Sequence, residues 1–354
     1  MNFCSDNVTP AARAVLEAVV EANMGPSMPY GNDPLTASAA DAIRAAFDLE
    51  PGAGAVHLLG TGTAANGLAL AQVTPPYGAV ICHAGSHVNT SECGGPELHS
   101  GGAKLLGLPG RGGKLVPEEV TALIDRHADG DPHHSPPRAL SLTNATETGQ
   151  VYTPDEVRAL AAAAHAGGLA VHLDGARFAN AVASLGCAPA DISWRAGVDI
   201  MSLGGTKNGC IAAEAVVIFA PDRARDFEFR IKRAGHVWSK SRFIAAQYLG
   251  YLRDGNWLAY AGHANAMAAR LAQGLAGVAG CRLLFPVEAN QLFLTLPAAA
   301  RAGLRAAGYD FYDMPAKGAD TIRLVTAHDT RAEDVDGFVA TARRAAEDAT
   351  SDAA

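Results

Sequence analysis

Among the residues able to do covalent chemistry, one lysine is unusually placed. Lys207 lies in "MSLGGTKNG" (201–209), with Gly204 and Gly205 before it and Gly209 after it, behind the apolar run "VDIMSL". A lysine ordinarily keeps its ammonium in water along a helix face, whereas one presented by a glycine-rich turn at a strand end is placed for chemistry. Thirty-three residues earlier, "VHLDGARFANA" (171–181) runs an apolar strand into Asp174, then Gly175, Ala176 and Arg177. Ligands of open α/β sheets gather at the carboxyl ends of strands. An aspartate there is either the N-cap of the following helix or an anion aimed at a protonated ring nitrogen. A third piece, "GTGTAANG" (60–67), follows the run "AVHLL". Such a strand-to-helix turn needs small residues whatever it binds, and its N–H groups with the hydroxyls of Thr61 and Thr63 can also hold a phosphate.

Taken together, the three pieces meet the needs of pyridoxal phosphate: an amine for its aldehyde, a carboxylate for its ring nitrogen and a cradle for its phosphate. "GTGTAA" also matches the dinucleotide fingerprint, which requires an acid about 20 positions on. The first acid after Gly62 is Glu92, 30 positions later, so that reading lacks its second requirement. His87, in "HAGSHVNTSECGG" (83–95), falls just past the run "AVICH", where an imidazole can stack on a cofactor ring and exchange protons near neutral pH. His83 reads as a core or surface residue. His127, His133 and His134, in the polar, proline-rich "HADGDPHHSPP", read as solvated surface, and no metal site is expected.

The elements that must position these residues alternate between short apolar runs and helix-length segments, the pattern of a largely parallel sheet with crossover helices. Expected strands are 55–59, 79–83, 103–108, 138–144, 169–174, 198–203 and 214–219. Helices are expected from near Thr63, after "VPEEV" (116–120) and from "TPDEV" (153–157), where Thr153, Pro154 and Glu156 form a capping box. Beyond about Pro221 the spacing predicts alanine-rich helices at 221–234, 240–253 and 256–279. A smaller α+β pattern follows, with strands near 281–285, 291–296 and 320–326 and helices at 298–307 and 331–346. Two domains joined through long helices are expected.

A chain of 354 residues that is 49% hydrophobic and 18% charged has ample material for a buried core. Its net charge of −8, with no lysine- or arginine-rich run, argues against nucleic-acid and anionic-membrane partners. No apolar run reaches the length of a membrane span, and no secretory leader is expected. Six scattered cysteines without a C-x-x-C pair read as free thiols of a reducing cytoplasm.

With these motifs in place, the chain resembles the threonine aldolases of the aspartate-aminotransferase-like fold (pyridoxal-phosphate fold type I), within the wider β-eliminating lyase group. The resemblance rests on "SDN" at Ser5, "YGNDP" (30–34), "GTGTAAN", "SHV", "NATETGQVY", "HLDGARF", "GGTKNG", "FPVEAN" and "IRLVT" (322–326), and its "GGTKNG" form is nearest to the bacterial low-specificity L-threonine and phenylserine aldolases. It implies an N-terminal segment (1–20) contributing to the site, a large cofactor-binding domain (21–250) and a small C-terminal domain (251–354). It also implies that Lys207 joins the cofactor aldehyde and Asp174 pairs with the pyridine nitrogen. Gly62 and Thr63 would bind the phosphate, and His87 would stack on the ring and approach the substrate hydroxyl. Ser5, Arg177 and Arg323 would hold the substrate carboxylate. Tyr30 and Arg242 would reach the site from a neighbouring subunit of a homodimer or homotetramer. Asn7 and Asn32 stand where commoner family members carry Thr and Asp, a departure that bears on side-chain preference.

The implied reaction is retro-aldol cleavage of a β-hydroxy-α-amino acid to glycine and an aldehyde. The same residues would serve β-elimination to a keto acid and ammonia. A nicotinamide dehydrogenase and a non-catalytic binding protein are the alternatives outside this cofactor class.

Overall fold

A computed structural model describes residues 1–127 and 130–351 of the chain. Seven strands build the larger sheet: β1 (Ala55–Leu59), β2 (Ala79–His83), β3 (Lys104–Leu108), β4 (Pro137–Thr143), β5 (Ala170–Gly175), β6 (Ile200–Gly204) and β7 (Glu214–Ile218). Their order is β1-β7-β6-β5-β4-β2-β3. All run parallel except β7, which is antiparallel to both of its neighbours. The sequence reason is visible in β5, β6 and β7, each buried along its whole length: strands covered by helices on both faces read as continuous apolar runs.

This topology gathers chemistry at one edge. The carboxyl ends of β1, β2, β4, β5 and β6 point the same way, while the reversed β7 brings its first residue there, with Glu214 opposite Leu59 of β1 and Gly204 of β6. The helix Gly62–Val73 starts at that edge, capped by the Thr61 hydroxyl. Helix Pro154–Ala166 begins with the expected reciprocal capping box between Thr153 and Glu156, which satisfies two otherwise orphaned N–H groups.

The smaller sheet has four antiparallel strands, β8 (Arg282–Leu283), β9 (Gln291–Thr295), β10 (Tyr312–Asp313) and β11 (Thr321–Val325), in the order β10-β11-β9-β8. Helices Asn256–Leu275, Ala298–Ala306 and Ala332–Ser351 accompany it, and its core joins Leu271, Leu292, Leu324 and Phe338 to Phe3. Phe3 belongs to the N-terminal segment, which is tied down by Phe3 N–H donating to the Asp310 carbonyl (2.8 Å) and the Phe3 carbonyl accepting from Val325 N–H (2.9 Å). The anchor delivers residues 5–8 to the functional edge.

One expectation is corrected. The helix expected over 221–234 is broken into a 3₁₀ turn, Pro221–Arg223, and a short helix, Phe227–Arg233. Asp226 between them has φ 63°, a left-handed conformation that aspartate tolerates better than most residues. The two-residue β10 was not expected, being too short to show a period.

Candidate active site

Lys207 occupies a 3₁₀ turn, Thr206–Asn208, at the end of β6. Glycine is required around it. A Cβ on Gly204 would meet the Ala176 carbonyl oxygen at 2.8 Å, and one on Gly205 would meet the Ala213 carbonyl oxygen at 2.8 Å. The turn is held from below by Asn208, whose side-chain amide donates to the Tyr251 hydroxyl (2.8 Å) and the Trp257 carbonyl (2.8 Å). Burial and the nearby Arg177 guanidinium push the Lys207 ammonium below the usual lysine range, against the pull of Asp6, Asp174 and Glu214. An amine so shifted is closer to its nucleophilic, neutral form.

Asp174 ends β5 almost wholly buried. It is not a helix cap: the next helix begins only at Phe178, capped by Arg177 without a side-chain bond. One oxygen accepts from Ala176 N–H (3.0 Å) and the other from the Asn66 side-chain amide (2.9 Å). The same Asn66 nitrogen donates to Glu92 Oε1 (2.8 Å), and that oxygen lies 2.8 Å from His87 Nδ1. A continuous chain therefore runs Asp174–Asn66–Glu92–His87. The Glu92 contact raises the His87 pKa, against burial. Glu147, which accepts from His87 N–H (2.7 Å) and the Thr143 hydroxyl (3.0 Å), fixes the backbone of the histidine turn.

These groups line one cavity of about 320 Å³. Gly60, Thr61, Gly62 and Thr63 form one end of it, together with Thr206 and Glu214. Gly60 admits no side chain, because a Cβ there would sit 2.5 Å from the Trp238 ring. The donor set fits pyridoxal phosphate: an amine, a carboxylate, a stacking imidazole and an anion cradle share one cavity. Two buried oxygens of its wall, Asn66 Oδ1 and Glu92 Oε2, lack a partner among the described residues.

Lys207, Asp174, His87, Gly62, Thr63 and Arg177 thus come together. Arg177 is already engaged, its Nε and Nη2 held by the two oxygens of Asp6 (2.7 and 2.9 Å). Burial alone would raise the Asp6 pKa, but Arg177, with Lys207 and Asn290, holds it below the carboxylate range. Only the Nη1 nitrogen of Arg177 lies outside that pairing. Arg323 and Ser5 sit beside the cavity without lining it. Arg323 donates from Nη2 to the Cys4 carbonyl (2.9 Å), its Nε is buried without a partner among the described residues, and burial with the Arg177 guanidinium pushes it below the usual arginine range, against the pull of Asp6. Ser5 caps the turn Asp6–Val8 by accepting from Asn7 N–H. Tyr30 lies elsewhere in the subunit, in a groove with Phe229 and Trp238. Arg242 donates to the Gly25 carbonyl (2.9 Å). Asn66, Glu92, Glu147, Glu214 and Asp6 are site residues that sequence reasoning missed. Four of them lie in the quoted stretches "SDN", "GTGTAAN", "HAGSHVNTSECGG" and "NATETGQVY", none of which pointed to a partner.

Residues 2–299 match the family described as Beta-eliminating lyase. A low specificity L-threonine aldolase of Pseudomonas aeruginosa is 45% identical over 333 residues, covering 94% of each chain. The solved structure of a threonine aldolase of Leishmania major superposes with a TM-score of 0.90 at 29% identity, covering 97% of this chain and 98% of that one. An aspartate aminotransferase of Thermus thermophilus, at 17% identity and a TM-score of 0.68 over 95% of this chain and 89% of its own, shares the fold alone.

Proposed function

The chain belongs to the beta-eliminating lyase family, and from that premise we propose that it is a low-specificity L-threonine aldolase that uses pyridoxal 5'-phosphate. It cleaves L-threonine and related β-hydroxy-α-amino acids to glycine and an aldehyde. What supports this most directly is the convergence of Lys207, Asp174 and His87 with the 60–63 cradle on one cavity, in a chain aligned nearly end to end with curated L-threonine aldolases.

The bound group supplies an aldehyde for the Lys207 amine and an electron-poor ring that accepts the electron pair of the breaking bond. Asp174, locked by Asn66 and Ala176 N–H, holds its charge toward the ring nitrogen. The Nη1 of Arg177 and the Arg323 guanidinium orient the substrate carboxylate, and orientation selects the Cα–Cβ bond for cleavage. His87 acts on the β-hydroxyl. Glu92 keeps the proton of the ring on Nδ1, leaving Nε2 to take the hydroxyl proton as the aldehyde forms. The proton taken by His87 passes to solvent and Cα of glycine gains one from solvent, so the cleavage is proton-neutral overall. An aldehyde side with few polar groups accommodates varied side chains, since a methylene changes discrimination by only about 1–3 kcal/mol.

The assembly belongs to the proposal as a homodimer or homotetramer with shared sites, in the cytoplasm. Tyr30, Phe229 and Trp238 are exposed apolar residues of one groove, a pattern that marks interaction surfaces. All six cysteines are free, and no helix among the described residues is long and apolar enough to cross a membrane.

Purified protein is expected to be yellow and to release aldehyde and glycine from threonine, allo-threonine or phenylserine. Failure with all three overturns the reading, and ammonia in place of glycine moves it to β-elimination. Lys207→Ala is expected to lose turnover and the borohydride-fixed chromophore while still binding cofactor without a covalent link.

A further inference from the structure

Glu214 has no part in the steps above, yet it is buried at the cradle end of the cavity. Its strand runs against its neighbours, so its side chain arrives between the ends of β1 and β6. There its Oε2 lies 3.8 Å from where a Cβ on Gly62 would stand, at the first turn of helix Gly62–Val73. A carboxyl group therefore shares the place where the amides of that turn would meet a phosphate. The polar and titratable groups that interact with it come from several of the elements around it. Lys207 and Thr206 belong to the turn after β6, Asp174 to β5, Cys210 to the segment before β7, and Tyr248 and Tyr251 to helix Arg242–Leu252. Of these, Lys207 alone carries positive charge, and it is the residue committed to the cofactor aldehyde.

We propose that Glu214 makes cofactor capture proton-linked: protonated, its carboxyl donates a hydrogen bond to the cofactor phosphate, and ionised, it repels that phosphate. The inference rests on the reading of residues 60–63 as a phosphate cradle. Two like charges sharing one desolvated site cannot both ionise cheaply. Burial lifts this carboxyl to about 7, against contacts from Thr206 and Lys207 that favour ionisation. The switch falls where a cytoplasmic enzyme works.

The test uses the enzyme stripped of cofactor. Dissociation constants for pyridoxal 5'-phosphate and for phosphate-free pyridoxal are measured at pH 6.5 and 8.5, for the wild type and for Glu214→Gln. Gln donates a hydrogen bond at every pH and never ionises. The wild type is expected to lose affinity for the phosphorylated ligand relative to Glu214→Gln as pH rises. The loss approaches about thirtyfold at pH 8.5 if only the protonated form binds, this being 1.5 pH units of linkage above a group titrating near 7. Pyridoxal is expected to show no such divergence.

The wild type carries its own readout should the variant fold poorly: its preference for phosphorylated over phosphate-free ligand should fall across this range. The phosphate's own second ionisation, near 6, would drive it the other way at a helix N-terminus. A preference that is flat or rises with pH, or a parallel pH response in Glu214→Gln, overturns the proposal. Both leave the cofactor assignment standing. A wild type that binds no pyridoxal 5'-phosphate at either pH overturns the assignment itself, and the proposal with it.

Discussion

Two carboxylates share the side-chain amide of Asn66, and that sharing ties Asp174 to His87. Asp174 and Glu92 each accept one hydrogen from the same nitrogen, at 2.9 and 2.8 Å, so neither can shift without disturbing the other. Glu92, with a side chain fully shielded from solvent, exerts its effect on His87 Nδ1, where it favours the protonated ring. A base whose pKa is raised delivers its neutral form only at higher pH, so the acid limb of kcat/KM should lie above the ordinary histidine range. Glu92→Gln removes the charge but keeps an oxygen that accepts from Nδ1–H, so it should move that limb to lower pH while leaving the tautomer in place. His87→Ala should lose about 10²–10⁴-fold in kcat, the usual worth of a positioned general base. A pH profile unmoved in Glu92→Gln would remove Glu92 from this role. Asn66 and Glu92 are 26 residues apart, and nothing in their spacing announces a contact. Lys207, by contrast, was legible because its glycines are local and sterically obligatory.

The strands that carry these residues are also coupled beneath the site. His172 lies two residues before Asp174 on the same face of β5, wholly buried, with Nδ1 2.9 Å from the Ser141 hydroxyl of β4 and Nε2 3.2 Å from the Ser202 hydroxyl of β6. One neutral imidazole thus staples three parallel strands behind the catalytic edge. Burial lowers its pKa to about 4. Below 6.5 the unfolded chain takes up the proton first, so stability falls with pH until about 4, where the folded form titrates as well. The total loss from this residue is about 3 kcal/mol. Urea unfolding of the wild type and His172→Gln at pH 7 and 4.5 should show a stability gap that narrows on acidification, and equal pH slopes would refute the assignment.

At this scale the sequence was most readable. The seven apolar runs became the seven strands within one or two residues, because strands buried on both faces leave a continuous hydrophobic trace. The antiparallel sense of β7 was not readable, since a run such as "EAVVIF" carries no mark of direction. With it went the arrival of Glu214 at the cradle. The break at Asp226 escaped for a similar reason: a single left-handed aspartate interrupts a helical pattern without proline or glycine to announce it.

Across the whole molecule, the subunit supplies a nearly complete cavity but keeps Tyr30 away from it. Tyr30 has positive φ, is 54% exposed and has Lys232 over its ring at 5.3 Å, in a groove that runs alongside the cradle. Trp238 links the two places, lining the groove while its ring packs on Gly60 of the cavity. If two subunits pair through this face, each Tyr30 enters the neighbour's site, as a two-fold interface exchanges equivalent residues. Mixing then distinguishes a shared site from a self-contained one. Lys207→Ala and Tyr30→Ala should each be inactive or severely impaired alone. Unfolded together and refolded in equal amounts, they should regain about one quarter of wild-type activity, because half of the dimers are mixed and each mixed dimer holds one site with both residues intact. Activity in the mixture no greater than the mean of the separate variants would confine Tyr30 to its own subunit, and the groove beside Trp238 would then serve some purpose other than completing the site.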